Sequence, residues 1–129
     1  MTFISICIGG SIGALLRYWI SVNLANRFPS KNLVATYLVN GIGSFLLGVM
    51  IGLIEAGKIP SSMITSIISI GFLGALTTFS TFSLECLQLL KDRNIGLFIQ
   101  YILWTFVSTV MLFLLGSTFL SRVYSLLFH

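Results

Sequence analysis

Thirteen consecutive residues hold most of the groups in this chain that are able to do chemistry. The stretch GFLGALTTFSTFS, Gly71 to Ser83, carries two glycines, five hydroxyl side chains and three phenylalanines inside a long apolar segment. Phe79 and Phe82 are three apart and share a helix face. Aromatic rings are electropositive at their edges, and hydroxyls and the amide of Asn40 can donate hydrogen bonds. Such a lining suits a small anion and offers no fixed cation to trap it. Thr77 and Thr78 are stiff at χ1, and the glycines upstream cost helix stability, so a helix is expected to stop here and restart. In lipid, freed backbone groups are tolerated only against protein, water or an ion. Exposed carbonyls coordinate a hard cation. The functional site is expected at this interruption.

The elements that carry it follow from composition. The chain has 129 residues, of which 57% are hydrophobic and 8% charged, with a mean hydropathy of +1.06. A soluble domain of this size could not hide so much apolar side chain in one core. Four apolar runs stand out, about Phe3 to Ala25, Leu33 to Ile54, Ser62 to Leu90 and Ile95 to Ser121. Each is long enough to cross roughly 30 Å of hydrocarbon as a helix, and barrel strands would instead show short alternating segments. The expected architecture is an all-α membrane protein, a single four-helix transmembrane domain over residues 1–129. The first run lacks a basic n-region and continues far beyond an h-region, so no cleavable signal peptide is expected. Cys7 and Cys86 fall near opposite faces, too far apart for a disulfide. The one histidine, His129, is the last residue. No metal-ligand cluster, nucleophile, base or phosphate cradle suggests an enzyme, and a net charge of +4 is too small and scattered for nucleic acid.

Depth makes the pattern specific. With four spans both termini share one face, side A. Arg27, Lys31, Lys91 and Arg93 then lie at side B, against Lys58 and Arg122 at side A. The positive-inside rule makes side B weakly cytoplasmic and leaves insertion in both orientations open. Asn40 and Phe82 both lie roughly 10 Å inside side B, Tyr101 roughly 9 Å, and Thr77 roughly 18 Å, near the midplane. Ser80 and Thr81 join them in the B half. Arg17, roughly 12 Å inside side B, could snorkel outward, pair with Glu85 or meet a permeating ion. The A half offers mainly apolar residues, glycines and a hydroxyl stripe at Ser62, Thr65, Ser66 and Ser69. One copy would line half a path. Two antiparallel copies would line both halves and put both interruptions at the centre. Small residues every four positions, at Gly9 and Gly13 and at Ser44, Gly48 and Gly52, allow close helix contacts.

Taken together, GGSIGALLRY (Gly9 to Tyr18), VNGIGSFLLG (Val39 to Gly48) and GFLGALTTFSTFS followed by Glu85 resemble the CrcB/Fluc fluoride channels over essentially the full chain. The resemblance implies four-helix subunits, the third helix broken near the midplane, in an antiparallel dual-topology dimer with two fluoride pathways in the cell membrane. It implies passive export of cytoplasmic fluoride, which protects the cell. It also implies a structural sodium ion at the dimer centre, held by backbone carbonyls that map onto Gly74 and Thr77. The pore phenylalanines map onto Phe79 and Phe82 and the pore asparagine onto Asn40. Ser80, Thr81 and Tyr101 match polar pore-lining positions. Ser108 is matched on the fourth helix, where Thr105 and Thr109 compete. Arg17 and Glu85 are left as possible structural charges.

Ala75 stands where the family pattern often has a second glycine, yet its carbonyl remains available, and the sodium site is expected to survive. The charge bias would also fit a heterodimer with a subunit of opposite preference. A small multidrug antiporter has the same size, spans and antiparallel pairing. That chemistry needs a central carboxylate in the first span, which here carries no acid, and Glu85 lies only roughly 6 Å from side B. If insertion is dual, tags on the termini should be labelled from both membrane faces. Labelling from a single face would indicate a fixed-topology subunit.

Overall fold

The computed structural model describes residues 2–27, 32–57, 59 and 63–128. Lys31, Lys58, Ser62 and His129 lie outside the described residues, as do the side chains of Arg27 and Arg122. The regular elements of the described chain are all helices: α1 Thr2–Arg27, α2 Asn32–Glu55, α3 Met63–Ser66, a π-helical segment Ile67–Leu73, α4 Gly74–Leu76, α5 Phe79–Lys91 and α6 Ile95–Phe128. Four stretches are long and apolar enough to cross a membrane, namely Phe3–Leu24, Leu33–Glu55, Ile67–Lys91 and Ile95–Thr118. This is the architecture of a multi-pass membrane protein. Consistent with that, large apolar side chains such as Phe3, Leu15, Trp19, Leu103 and Phe106 are exposed, while the buried core is small. It centres on Val39, Leu73 and Leu76, with Cys86, Leu89 and Tyr101 forming a second cluster. Cys7 and Cys86 are both free.

Helix ends follow local chemistry. Gly57, with φ of +68°, ends α2 in the left-handed conformation that glycine adopts without a Cβ penalty. Nothing in FLSRVYSLLF stops α6, which runs to 34 residues, roughly 51 Å at helical rise. The sequence alone suggested an end near Ser121. No proline or glycine follows Gly116, so the helix continues.

Packing rests on missing side chains. A Cβ on Gly48 would run into the Phe113 carbonyl, one on Gly52 into that of Ser117, and one on Gly116 into that of Phe45. The α2 and α6 backbones therefore touch directly. On the other side, a Cβ on Gly9 would lie 2.6 Å from the Ile67 carbonyl oxygen, and one on Gly71 2.7 Å from that of Ile6. A Cβ on Gly13 would meet the Phe72 carbonyl. Helix α1 is thereby seated on the π-helical segment. Both stripes expected from the sequence thus make close contacts of the small-residue kind. Gly48→Val should cost about 1–3 kcal/mol, the usual range for overpacking, read as a lower melting temperature in detergent. Gly96→Ala should cause no loss, because a methyl group there meets nothing within 4 Å.

Candidate functional site

The third span changes conformation three times over a short distance. In the π-helical segment the amide of Gly74 donates to the carbonyls of both Gly71 and Ser69. The α-helical register then resumes for Gly74–Leu76 only. Thr77 has ψ of 156° and Thr78 has φ of −149° and ψ of 120°, so both are extended. Helix α5 restarts at Phe79. The glycines are not where the helix gives way. Gly71 is consumed by contact with Ile6, and the backbone stays helical through Gly74. The threonine pair is where it opens.

Two extended residues remove backbone groups from the helical ladder, and neighbouring side chains replace them. Asn40 of α2 does so on both edges of Thr78. Its Nδ2 donates to the Thr78 carbonyl at 3.0 Å, and its Oδ1 accepts from the Thr78 amide at 2.7 Å. Thr78, itself buried, caps α5 by accepting from the Thr81 amide at 3.2 Å, the usual role of an N-cap threonine. Its hydroxyl also lies 3.2 Å from that of Ser80 and 3.0 Å from that of Thr81. The Thr77 hydroxyl donates back to the Leu73 carbonyl at 3.2 Å, while its methyl group occupies the space that a Cβ on Gly43 would need. Arg17 of α1 donates from Nη1 to the Thr77 carbonyl at 3.4 Å.

A cavity of about 330 Å³ opens beside this interruption. Asn40, Gly74, Thr77, Phe79 and Phe82 line it, together with Ser69, Thr105, Phe106 and Thr109. The rings of Phe79 and Phe82 are 6.0 Å apart at 41°, and Phe82 meets Tyr101 at 5.3 Å and 42°. Both pairs are tilted, so ring edges as well as faces are presented. The remaining site residues inferred from the sequence lie elsewhere. Thr81 lines a separate cavity of about 580 Å³ with Tyr18, Ser21, Thr36 and Glu85. Ser80 is exposed and bonded to Thr78. Ser108 donates to the carbonyls of Trp104 and Thr105 in its own helix and is absent from the walls of the smaller cavity. Thr105 and Thr109, one and two turns beyond Tyr101, hold the positions on those walls. The helical repeat of four from Tyr101 was the signal that could have selected them.

Glu85 and Arg17 are not paired with each other. The Glu85 carboxylate accepts from Thr36 Oγ1 at 2.8 Å and from Tyr101 OH at 2.7 Å, which ties α2, α5 and α6 together. The Thr105 hydroxyl is the buried side-chain group that has no partner among the described residues; its residue is 6% exposed. The oxygens of Gly74 and Thr77 have left the ladder. The Thr78 amide that would serve Gly74 goes to Asn40, and the Thr81 amide that would serve Thr77 goes to Thr78 Oγ1. The Gly74 oxygen keeps a 3.5 Å contact from the Thr77 hydroxyl. Neutral oxygens freed in this way are donors of the type a hard cation takes.

The family model described as "CrcB-like protein, Camphor Resistance (CrcB)" matches residues 4–117. A protein of Shewanella loihica named "Fluoride-specific ion channel FluC" is 49% identical over 89 residues, covering 69% of this chain and 71% of its own. Proteins of the same name from Shewanella woodyi and Shewanella frigidimarina are 47% and 49% identical over 87 residues, covering 67% of this chain and 69% of theirs.

Replacing Asn40 with Ala would orphan a buried amide and carbonyl of Thr78, at about 1–3 kcal/mol for each group. The expected result is a lower melting temperature together with faster hydrogen exchange at the Thr78 amide. Wild-type exchange in that variant would show that Asn40 does not hold the interruption.

Proposed function

This chain belongs to the CrcB family, and from that premise we propose that it is a fluoride-selective channel that lets cytoplasmic fluoride leave the cell passively. The observation that carries the reading is the buried Thr105 hydroxyl without a partner in the wall of a cavity edged by Phe79 and Phe82. A buried donor is costly unless something accepts from it. Fluoride is the smallest halide and the strongest hydrogen-bond acceptor among them. Asn40 adds a second donor, because one N–H of its amide serves Thr78 and the other remains. The ring edges of Phe79 and Phe82 add weakly positive surface that guides an anion without holding it.

Assembly follows from the asymmetry of the polar groups along the spans. Two copies in opposite orientation in the cell membrane would each complete the other's path, giving two routes with both interruptions central. The exposure of Phe79, at 79%, supports a covering partner. Identical copies suffice for this arrangement, and the uneven loop charges also fit a heterodimer. The carbonyls of Gly74 and Thr77 would hold a structural sodium ion, whose charge offsets the repulsive field a passing anion meets. One chain supplies two such oxygens, so a second copy completes the set. Ser80, Thr81 and Tyr101 extend the path toward side B, with Thr105 and Thr109 taking the position first assigned to Ser108. Glu85 holds Tyr101 and Thr36 in place.

Purified protein in liposomes should release fluoride rapidly and chloride far more slowly. Phe82→Ile should abolish fluoride efflux while the assembly persists on size exclusion. Unchanged efflux in that variant would remove the ring edges from the mechanism.

A further inference from the structure

The small-residue stripe of α1 continues past Gly13. Four residues on, on the same helical face, stands Arg17. Gly9 and Gly13 let the α1 backbone lie directly on Ile67 and Phe72. The arginine therefore arrives where the helical run from Met63 to Leu76 ends, and there Nη1 reaches the Thr77 carbonyl. A helix end carries partial negative charge and unpaired carbonyls, both of which a cation stabilises. A half-buried guanidinium in an apolar span is otherwise expensive. Glu85 makes no ion pair with it; that carboxylate accepts from Thr36 and Tyr101.

We infer that Arg17 is a built-in cation that shares the Thr77 carbonyl with the sodium ion proposed above, and that it thereby sets the affinity for that ion. The inference rests on the reading of Gly74 and Thr77 as a cation site. Two positive charges on one oxygen repel each other, so the arginine weakens sodium binding. The arginine also keeps positive charge at the interruption when sodium is scarce. Arg17 acts here as a positioning residue: it orients the carbonyl and fixes the local field, and neither role requires it to touch the permeating anion.

The test compares the wild type with Arg17→Lys, Arg17→Gln and Arg17→Met in detergent. Melting temperature is followed against sodium chloride, with N-methylglucamine chloride holding the ionic strength constant. The two neutral variants should shift the midpoint of sodium-dependent stabilisation downward by on the order of tenfold, since removing a like charge within a few ångströms frees that much affinity. Arg17→Lys keeps the charge and should stay within about twofold of the wild type, despite its different hydrogen-bond geometry. A neutral variant that fails to assemble at low sodium should be rescued at high sodium, because the external cation takes over the carbonyl. Failure to assemble at high sodium would overturn the inference. So would an unmoved midpoint, a lysine variant that behaves like the neutral ones, or a wild-type protein whose melting temperature ignores sodium. Fluoride efflux on the same preparations keeps the two readings apart. Absence of wild-type efflux removes the channel, whereas efflux with an unmoved midpoint removes only the role of Arg17.

Discussion

A peptide group cannot stand unbonded among apolar side chains, and the arrangement around Thr77 and Thr78 follows from that constraint. Once the backbone is extended there, the amides of Thr78 and Thr81 and the carbonyls of Gly74 and Thr77 lose their ladder partners. The repairs come from three directions: Asn40 of α2, Arg17 of α1 and the Thr78 hydroxyl itself. Each repair in turn fixes a neighbour. Asn40 faces the third span, and farther along the same helix Gly48 and Gly52 meet α6. Arg17 must reach inward, so the glycines before it must bring α1 into backbone contact. The interruption thus orders the bundle around it.

Much of this was legible in the residues. Apolar run lengths located four spans, and small residues at a spacing of four marked both helix contacts. Asn40, Phe79 and Phe82 were singled out by type and depth, and they line one cavity. The π-helical turn over Ile67–Leu73 was not legible, because IISIGFL has no composition that separates a wide turn from an ordinary one. Nor was the partner of Arg17. Depth alone left three choices open, and the carbonyl it reaches exists only after the backbone opens. Asn40 shows why its two possible roles, bonding between helices and lining a path, need not exclude each other. It spends Oδ1 and one N–H on Thr78 and still faces the cavity.

The count of hydroxyls overstated the polarity of the site. Ser11, Ser69, Ser83, Ser108 and Thr109 all return their hydrogen to a carbonyl one turn back in their own helix, the ordinary fate of serine and threonine in apolar helices. Ser108 is one of these and is not part of the wall that Thr105 and Thr109 line. Thr105 differs: its hydroxyl is buried against the cavity and has no partner among the described residues.

The wide turn over Ile67–Leu73, on which α1 is seated, carries a geometric consequence. A π-helical stretch bonds each amide five residues back, so it shifts the angular phase of everything after it relative to an uninterrupted α-helix. The seat of α1 lies on that same turn and runs on to Leu76 and Thr77, so one stretch of chain sets both the α1 contact and the direction of the Gly74 and Thr77 oxygens. A change of phase in that turn therefore moves the α1 contact and those oxygens together.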